Sequence, residues 1–200
     1  MSTKTKQPKL TVELVPTTCH YSNARTMVST KEWNTIRFIS YEKANHKCEI
    51  CKETGKEQGY GHNVECHEIW EYDDVNKIQT LKGLISLCPI CHQVKHIGRA
   101  IAMGRQKIVF DQMAKVNKWS EEQIHQHIQE SFELHKERSK YQWDLDISIL
   151  AKEPYNIKLK NYKERIFEVK KIRKKRKRKK KAVAKKKVVK RATKKRPPKK

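Results

Sequence analysis

Leu84-Ile85-Ser86-Leu87-Cys88-Pro89-Ile90-Cys91-His92-Gln93-Val94-Lys95-His96 sets a Cys-x-x-Cys pair directly against two histidines four residues apart. The apolar run before Cys88 predicts a buried strand, and Pro89 suits the first turn of a helix. Upstream lies a second pair, Cys48-Glu49-Ile50-Cys51, with Cys51 and Cys88 separated by 37 positions. Two such knuckles supply the four thiolates of one closed tetrahedral zinc site. Between them stands Glu65-Cys66-His67-Glu68-Ile69-Trp70. His67, His92 and His96 then remain outside the sulfur set and are free to build a second, open site.

The surrounding pattern predicts an α+β domain. Leu10 to Val15 alternates like a short strand stopped by Pro16, and Ser29 or Thr30 can cap a helix from about Lys31 to His46. Cys48 to Gly61 reads as a zinc knuckle and loop. Asn63 to Trp70 and Lys77 to Leu87 read as strands, and Ile90 to Ala102 as a helix ended by Gly104. On such a helix His92 and His96 share one face. On the strand, Glu65 and His67 share one face and Cys66 and Glu68 the other. Gln106 to Asn117 is amphipathic. Ser120-Glu121-Glu122-Gln123 is a capping box that opens a helix to about Ser139. Tyr141 to Leu150 alternates like a strand, and Ile157 to Val169 is a weak element. His125, His127 and His135 along the long helix read as surface residues, and Cys19 as a small buried side chain with no role.

Charge divides the chain. The net charge is +25, yet Lys171 to Lys200 alone holds 20 Lys/Arg and no acid, leaving 27 basic against 22 acidic residues in positions 1–170. A run this dense cannot bury a core and is expected to be a disordered tail that binds polyanions by counterion release. Lys174, Lys175, Arg176, Lys177 and Arg178 lie in its densest stretch. The organisation expected is a leader and short strand over 1–28, a metal-binding domain with a helical extension over 29–155, a linker over 156–170 and the tail over 171–200. No stretch reads as membrane-spanning or as a signal peptide, so reduced, metal-available cysteines and an intracellular location are expected. That location is cytoplasm or nucleoid for a bacterial or phage protein, and nucleus or virion for one from a eukaryotic virus. No membrane partner and no small-molecule cofactor is expected.

From Cys48 to His96 the residues resemble the HNH endonuclease family, through Cys48-x-x-Cys51, Glu65-Cys66-His67-Glu68-Ile69 and the quoted run ending at His96. A wider stretch, from Val15-Pro16-Thr17-Thr18-Cys19 to Trp143-Asp144-Leu145, is similar to a bacterial and phage group of that family. The resemblance implies a ββα-metal core: a hairpin packed on a helix with one divalent metal (Mg²⁺, Mn²⁺ or Zn²⁺) between them, beside the structural Zn²⁺. It implies His67 as general base, His92 and His96 as metal ligands, and Cys66 at the ligand position that is Asp or His in most members. A one-residue shift instead makes His67 a ligand and Glu68 the base. His67 is preferred as base, because an imidazole titrates near neutral pH. Gly83 stands where the family's middle Asn is common. Arg99 and Arg105 are candidates for neutralising substrate phosphates.

The leading expectation is therefore a metal-dependent endonuclease acting on DNA, held on its substrate by the basic tail, with DNA or RNA as the binding partner. The alternative is a catalytically inactive, zinc-stabilised binding or packaging protein on the same scaffold. A homing or mobile-element nuclease would need a DNA-reading module, for which only the helices from Gln106 to Ser139 stand available.

Overall fold

The computed structural model describes residues 7–159. The chain divides into two units, Met1–Leu159 and Lys160–Lys200. The tail, with Lys174 to Arg178, and most of the Ile157 to Val169 element lie outside the described residues.

The first unit is α+β. Its described elements run α1 (Ala24–Met27), α2 (Thr30–Lys43), β1 (Glu65–Asp73), β2 (Ile78–Leu87), α3 (Pro89–Lys95), α4 (Ile97–Ala102), α5 (Gln106–Asn117), α6 (Glu121–Arg138) and β3 (Asp144–Asp146), then a 3-10 helix over Ser148–Ala151. β1 and β2 form an antiparallel hairpin with Glu65 opposite Leu87 and His67 opposite Ile85, and a bulge at Ile69/Trp70. β3 joins β2 in parallel, so β1 and β3 are the two edges of the three-stranded sheet.

Local chemistry explains the boundaries. Ser29 and Ser120 cap α2 and α6 through full capping boxes with Glu32 and Gln123. Pro89 opens α3 at a position where its missing N–H costs nothing. Gly104 takes φ +71 just past α4, a conformation that glycine reaches without steric cost.

Three expectations are corrected. The helix expected over Ile90 to Ala102 is two helices, because His96 leaves helical geometry at φ −104, ψ 44. The strand expected over Tyr141 to Leu150 is three residues long. Trp143, Leu145 and Ile147 are buried in alternation, but the chain turns at Ile147 and Leu150 enters the core from the 3-10 helix. Leu10 to Val15 forms no strand. It is an irregular segment with Leu10 and Val12 buried in the main core beside Leu87, Val94, Ile97, Val109, Met113 and Ile128.

The sheet is covered on both faces, by α2 on one and α3 on the other. On the α2 side, buried Ser40 and Ser86 exchange hydrogen bonds at 2.9 Å. Glu49 clasps the same strand end, accepting from the Ser86 N–H at 2.8 Å and donating its own N–H to the Ser86 carbonyl at 2.9 Å. The first knuckle is thereby tied to the end of β2, where the second knuckle begins.

Candidate metal centres

The two knuckles close on each other. The sulfurs of Cys48, Cys51, Cys88 and Cys91 all lie within 4.8 Å of one another, and Cys51 and Cys88 are 3.5 Å apart. Ligands at about 2.3 Å around a tetrahedral zinc stand about 3.8 Å apart, so the set fits that ion. Two side-chain amides face it, one half-buried and one buried: Gln58 Nε2 donates to Cys88 Sγ at 3.2 Å and Gln112 Nε2 to Cys91 Sγ at 3.1 Å. Donors aimed at sulfur favour thiolate over thiol. Hydrogen bonds among the sulfurs drive Cys48 far below the ordinary thiol range and Cys51 and Cys91 far above it. Protons alone cannot satisfy four sulfurs this close, whereas a dication suits all four as thiolates.

The second group is imidazole only. His67 comes from β1, His92 from α3 and His96 from the α3–α4 junction, and one ring nitrogen of each lies within 4.8 Å of the others. His92 Nε2 and His96 Nε2 stand 3.2 Å apart. Two nitrogen ligands on a tetrahedral zinc are separated by about 3.3 Å. The break at His96 does not spoil this convergence.

Carboxylates orient two of the three rings. Glu65, on the same face of β1 as His67, accepts a hydrogen bond from His92 Nδ1 and a second from His62 at 3.0 Å. The bonds from His92 and His62 outweigh burial and hold Glu65 below the usual carboxylate range. An ionised carboxylate only accepts, so His92 carries its proton on Nδ1 and presents a lone pair at Nε2. Glu13 does the same for His67, accepting from Nε2 at 2.8 Å and leaving Nδ1 unprotonated. Burial alone would raise the Glu13 carboxyl. The His67 hydrogen bond and the buried Lys95 ammonium overcome it and hold Glu13 at about 2. Burial keeps His67 below the usual imidazole value and pushes His96 down to about 3, so both are neutral ligands or bases near pH 7.

Glu13 arrives on a segment pinned at three places. Asn117, closing α5, accepts from the Lys9 and Leu10 N–H groups at 3.0 Å and donates to the Leu10 carbonyl at 2.7 Å. His127 of α6 accepts from the Val12 N–H at 3.0 Å, and the Glu13 N–H donates to the Lys95 carbonyl at 3.1 Å. Sequence reasoning missed Glu13, Glu65 in this role, and His127. Only Glu65 carried a signal, its place on His67's side of the strand.

Other expected site residues fall elsewhere. Cys66 is not brought to the histidines. It lies on the opposite face, where burial pushes its thiol up to about 12 and it hydrogen-bonds Ser40 of α2. Strand alternation is the cause, and it removes Cys66 as a ligand of this group. Glu68 shares that face; burial raises it to about 7, and it accepts from the Arg25 N–H at 3.1 Å. Arg105 is tied to the Tyr60 hydroxyl at 2.9 Å and to Gln93 Oε1 at 3.2 Å, bracing the knuckle loop against α3. Arg99 lines a cavity of about 660 Å³ that also holds the three imidazoles.

The chain matches no family model, no curated protein and no solved structure. Among the described residues no helix is long and apolar enough to cross a membrane.

Proposed function

We propose that this chain is a metal-dependent endonuclease of the HNH type, with β1, β2 and α3 as its ββα-metal unit. The observation that carries the reading is the convergence of His67, His92 and His96 at one end of the hairpin, separate from a complete four-sulfur set. A divalent cation held by His92 and His96 would supply charge neutralisation at the scissile phosphate and its leaving oxygen.

The chain's own residues do the rest. Glu65 fixes the tautomer of His92 and aims its Nε2 at His96. Glu13 fixes the tautomer of His67, so that Nδ1 is free to take a proton from the attacking water. Burial keeps that imidazole neutral and ready to accept. The four cysteines hold the start of α3 and take no part in the chemistry. The tail residues Lys174 to Arg178 bind the polynucleotide without reading its sequence.

One observation favours a second reading. The open group contains no carboxylate, and an all-imidazole set also suits a structural zinc. On that reading the protein binds nucleic acid and cuts nothing.

Plasmid nicking with Mg²⁺, Mn²⁺ or Zn²⁺ separates the two. The wild type converts supercoiled DNA to nicked circles, and His67→Ala slows the reaction by roughly 10²–10⁴-fold while still binding DNA. Binding without cleavage in every metal, by both proteins, gives the answer to the second reading. Deleting 171–200 should weaken binding and flatten its salt dependence without altering metal content.

A further inference from the structure

The cavity that holds the imidazoles is larger than a metal site needs. Its volume of about 660 Å³ lies within the range of pockets that enclose an organic ligand. It runs beside the outer edge of β1, and besides Tyr72 three aromatic side chains reach it from three elements: Trp33 of α2, Trp70 of β1 and Phe132 of α6. None is sealed in the core. Both tryptophans are half-buried, and Phe132 is 40 % exposed. Arg25 and Arg99 line the same cavity and are exposed, and their guanidinium groups make no hydrogen bond or ion pair among the described residues.

We propose that this groove takes an unpaired nucleic-acid strand, with bases stacked on Trp33, Trp70 and Phe132 and flanking phosphates on Arg25 and Arg99. The proposal rests on the nuclease reading and gives it a substrate class. Aromatic faces and unpaired cations along one groove are what a single strand requires. A base inside a duplex offers no free π-face, so a paired helix cannot use these side chains unless a nucleotide leaves the stack. The scissile phosphate then lies where His67, His92 and His96 meet, at one end of the same cavity.

The test uses the full chain carrying His92→Ala and His96→Ala, so that nothing is cut. Binding of a labelled 12-nucleotide single strand and of the matching duplex is followed by fluorescence anisotropy at about 0.2 M salt, which weakens the tail's contribution to both. Into this background go Trp33→Leu with Trp70→Leu and, separately, the exposed Phe132→Ser, which disturbs no core. Loss of stacking should weaken single-strand binding roughly 5- to 100-fold per base lost and leave duplex binding within about twofold. Single-strand binding should also quench tryptophan emission in the parent, and this quench should vanish in the double tryptophan variant. Equal weakening of both substrates, or of neither by Phe132→Ser and the tryptophan pair alike, overturns the proposal. If the groove behaves as stated but the chain with its histidines intact cuts nothing, the groove stands and the nuclease reading falls. If the intact chain cuts duplex and the aromatic substitutions change nothing, the reverse holds.

Discussion

Replacing Glu13 by Gln tests how the second site is assembled. The substitution keeps shape and removes charge. In the structure Glu13 faces two groups at once: one oxygen accepts from His67, and the other pairs with Lys95. The Lys95 side chain is only 7 % exposed, and its one other partner is Thr11 Oγ1 at 3.2 Å. Stripping the counter-charge from a buried ammonium costs about 3–5 kcal/mol. The Glu13 side chain is 33 % exposed, so water reaches the pair and a figure of about 2–3 kcal/mol is expected. The carboxyl's displacement from 4.5 to about 2 corresponds to about 3.4 kcal/mol at about 1.4 kcal/mol per pH unit, an upper bound that solvent screening lowers towards that figure. The sign follows. A depressed carboxylate stabilises the fold above pH 4.5, and that stabilisation fades as pH falls towards 2. At pH 7.5 and fixed zinc, Glu13→Gln should melt about 4–12 °C below wild type. Adding Lys95→Met should recover part of the loss, because the orphaned charge is then gone. Nicking should fall roughly 10- to 100-fold, because His67, the proposed base, loses the carboxylate that fixes its tautomer. A variant that melts within a degree of wild type refutes the buried-pair argument. One that melts early yet cuts at full rate shows that Glu13 serves Lys95 alone.

Three other outcomes are expected. Cys88→Ser should remove the zinc measured by atomic emission, about one ion per chain beyond any held at the histidines, and unfold the first unit, since such binding is worth on the order of 10 kcal/mol of folding free energy; native stability without that zinc contradicts the four-sulfur assignment. Gly55→Ala should destabilise the knuckle by about 1–3 kcal/mol, because its Cβ would stand 2.2 Å from the His62 carbonyl oxygen and 2.8 Å from Pro89 Cδ; an unchanged denaturation midpoint rules out this packing. His127 accepts the Val12 N–H and is held below the ordinary imidazole value by burial. Its folded state favours the neutral ring, so its stabilising effect is present above the unfolded value of 6.5 and is lost as pH falls below it. Hydrogen exchange of the Val12 amide should therefore slow on acidification by less than base-catalysed chemistry alone dictates, and this excess should shrink in His127→Gln.

The elements that sequence reveals here are those with a strong local code. α5 matches its expected span, and the capping boxes at Ser29 and Ser120 open helices where their own side chains demand it. The knuckles are equally legible, because Cys-x-x-Cys is a local geometry with one dominant use. Strand alternation placed Glu65 with His67 and Cys66 with Glu68. What stayed hidden depends on distance along the chain. Glu13 and His67 are 54 residues apart, and Val12 and His127 are 115 apart. No periodicity records such pairs. The irregular segment that carries Glu13 is held by Asn117, His127 and the Lys95 carbonyl rather than by a strand partner, so its alternation suggested a strand that tertiary contacts did not need. α1 has four residues, too few to show a helical period. The break at His96 is equally silent in sequence, although Gly98 close behind it marks the helix as weak.

The four-sulfur group and the imidazole group meet on α3, and on the proposed reading this gives the sulfurs a purpose beyond stability. Cys88 caps α3 and Cys91 lies in its first turn, so the next residue, His92, leaves the helix from a point fixed by two ligands of the closed set. Cys48 and Cys51 tie the same point to the loop that Glu49 clasps onto the end of β2. That end of the hairpin carries Glu65 opposite Leu87, and Glu65 in turn aims His92. A closed loop of constraints therefore runs from sulfur to helix, helix to imidazole, imidazole to carboxylate, and carboxylate through the strand pair back to the knuckle. A displacement of about 1 Å at a reacting centre can cost a hundredfold in rate. Three imidazoles carried by a hairpin, a seven-residue helix and the junction after it are not held to that tolerance by hydrophobic packing alone. The four sulfurs make it attainable.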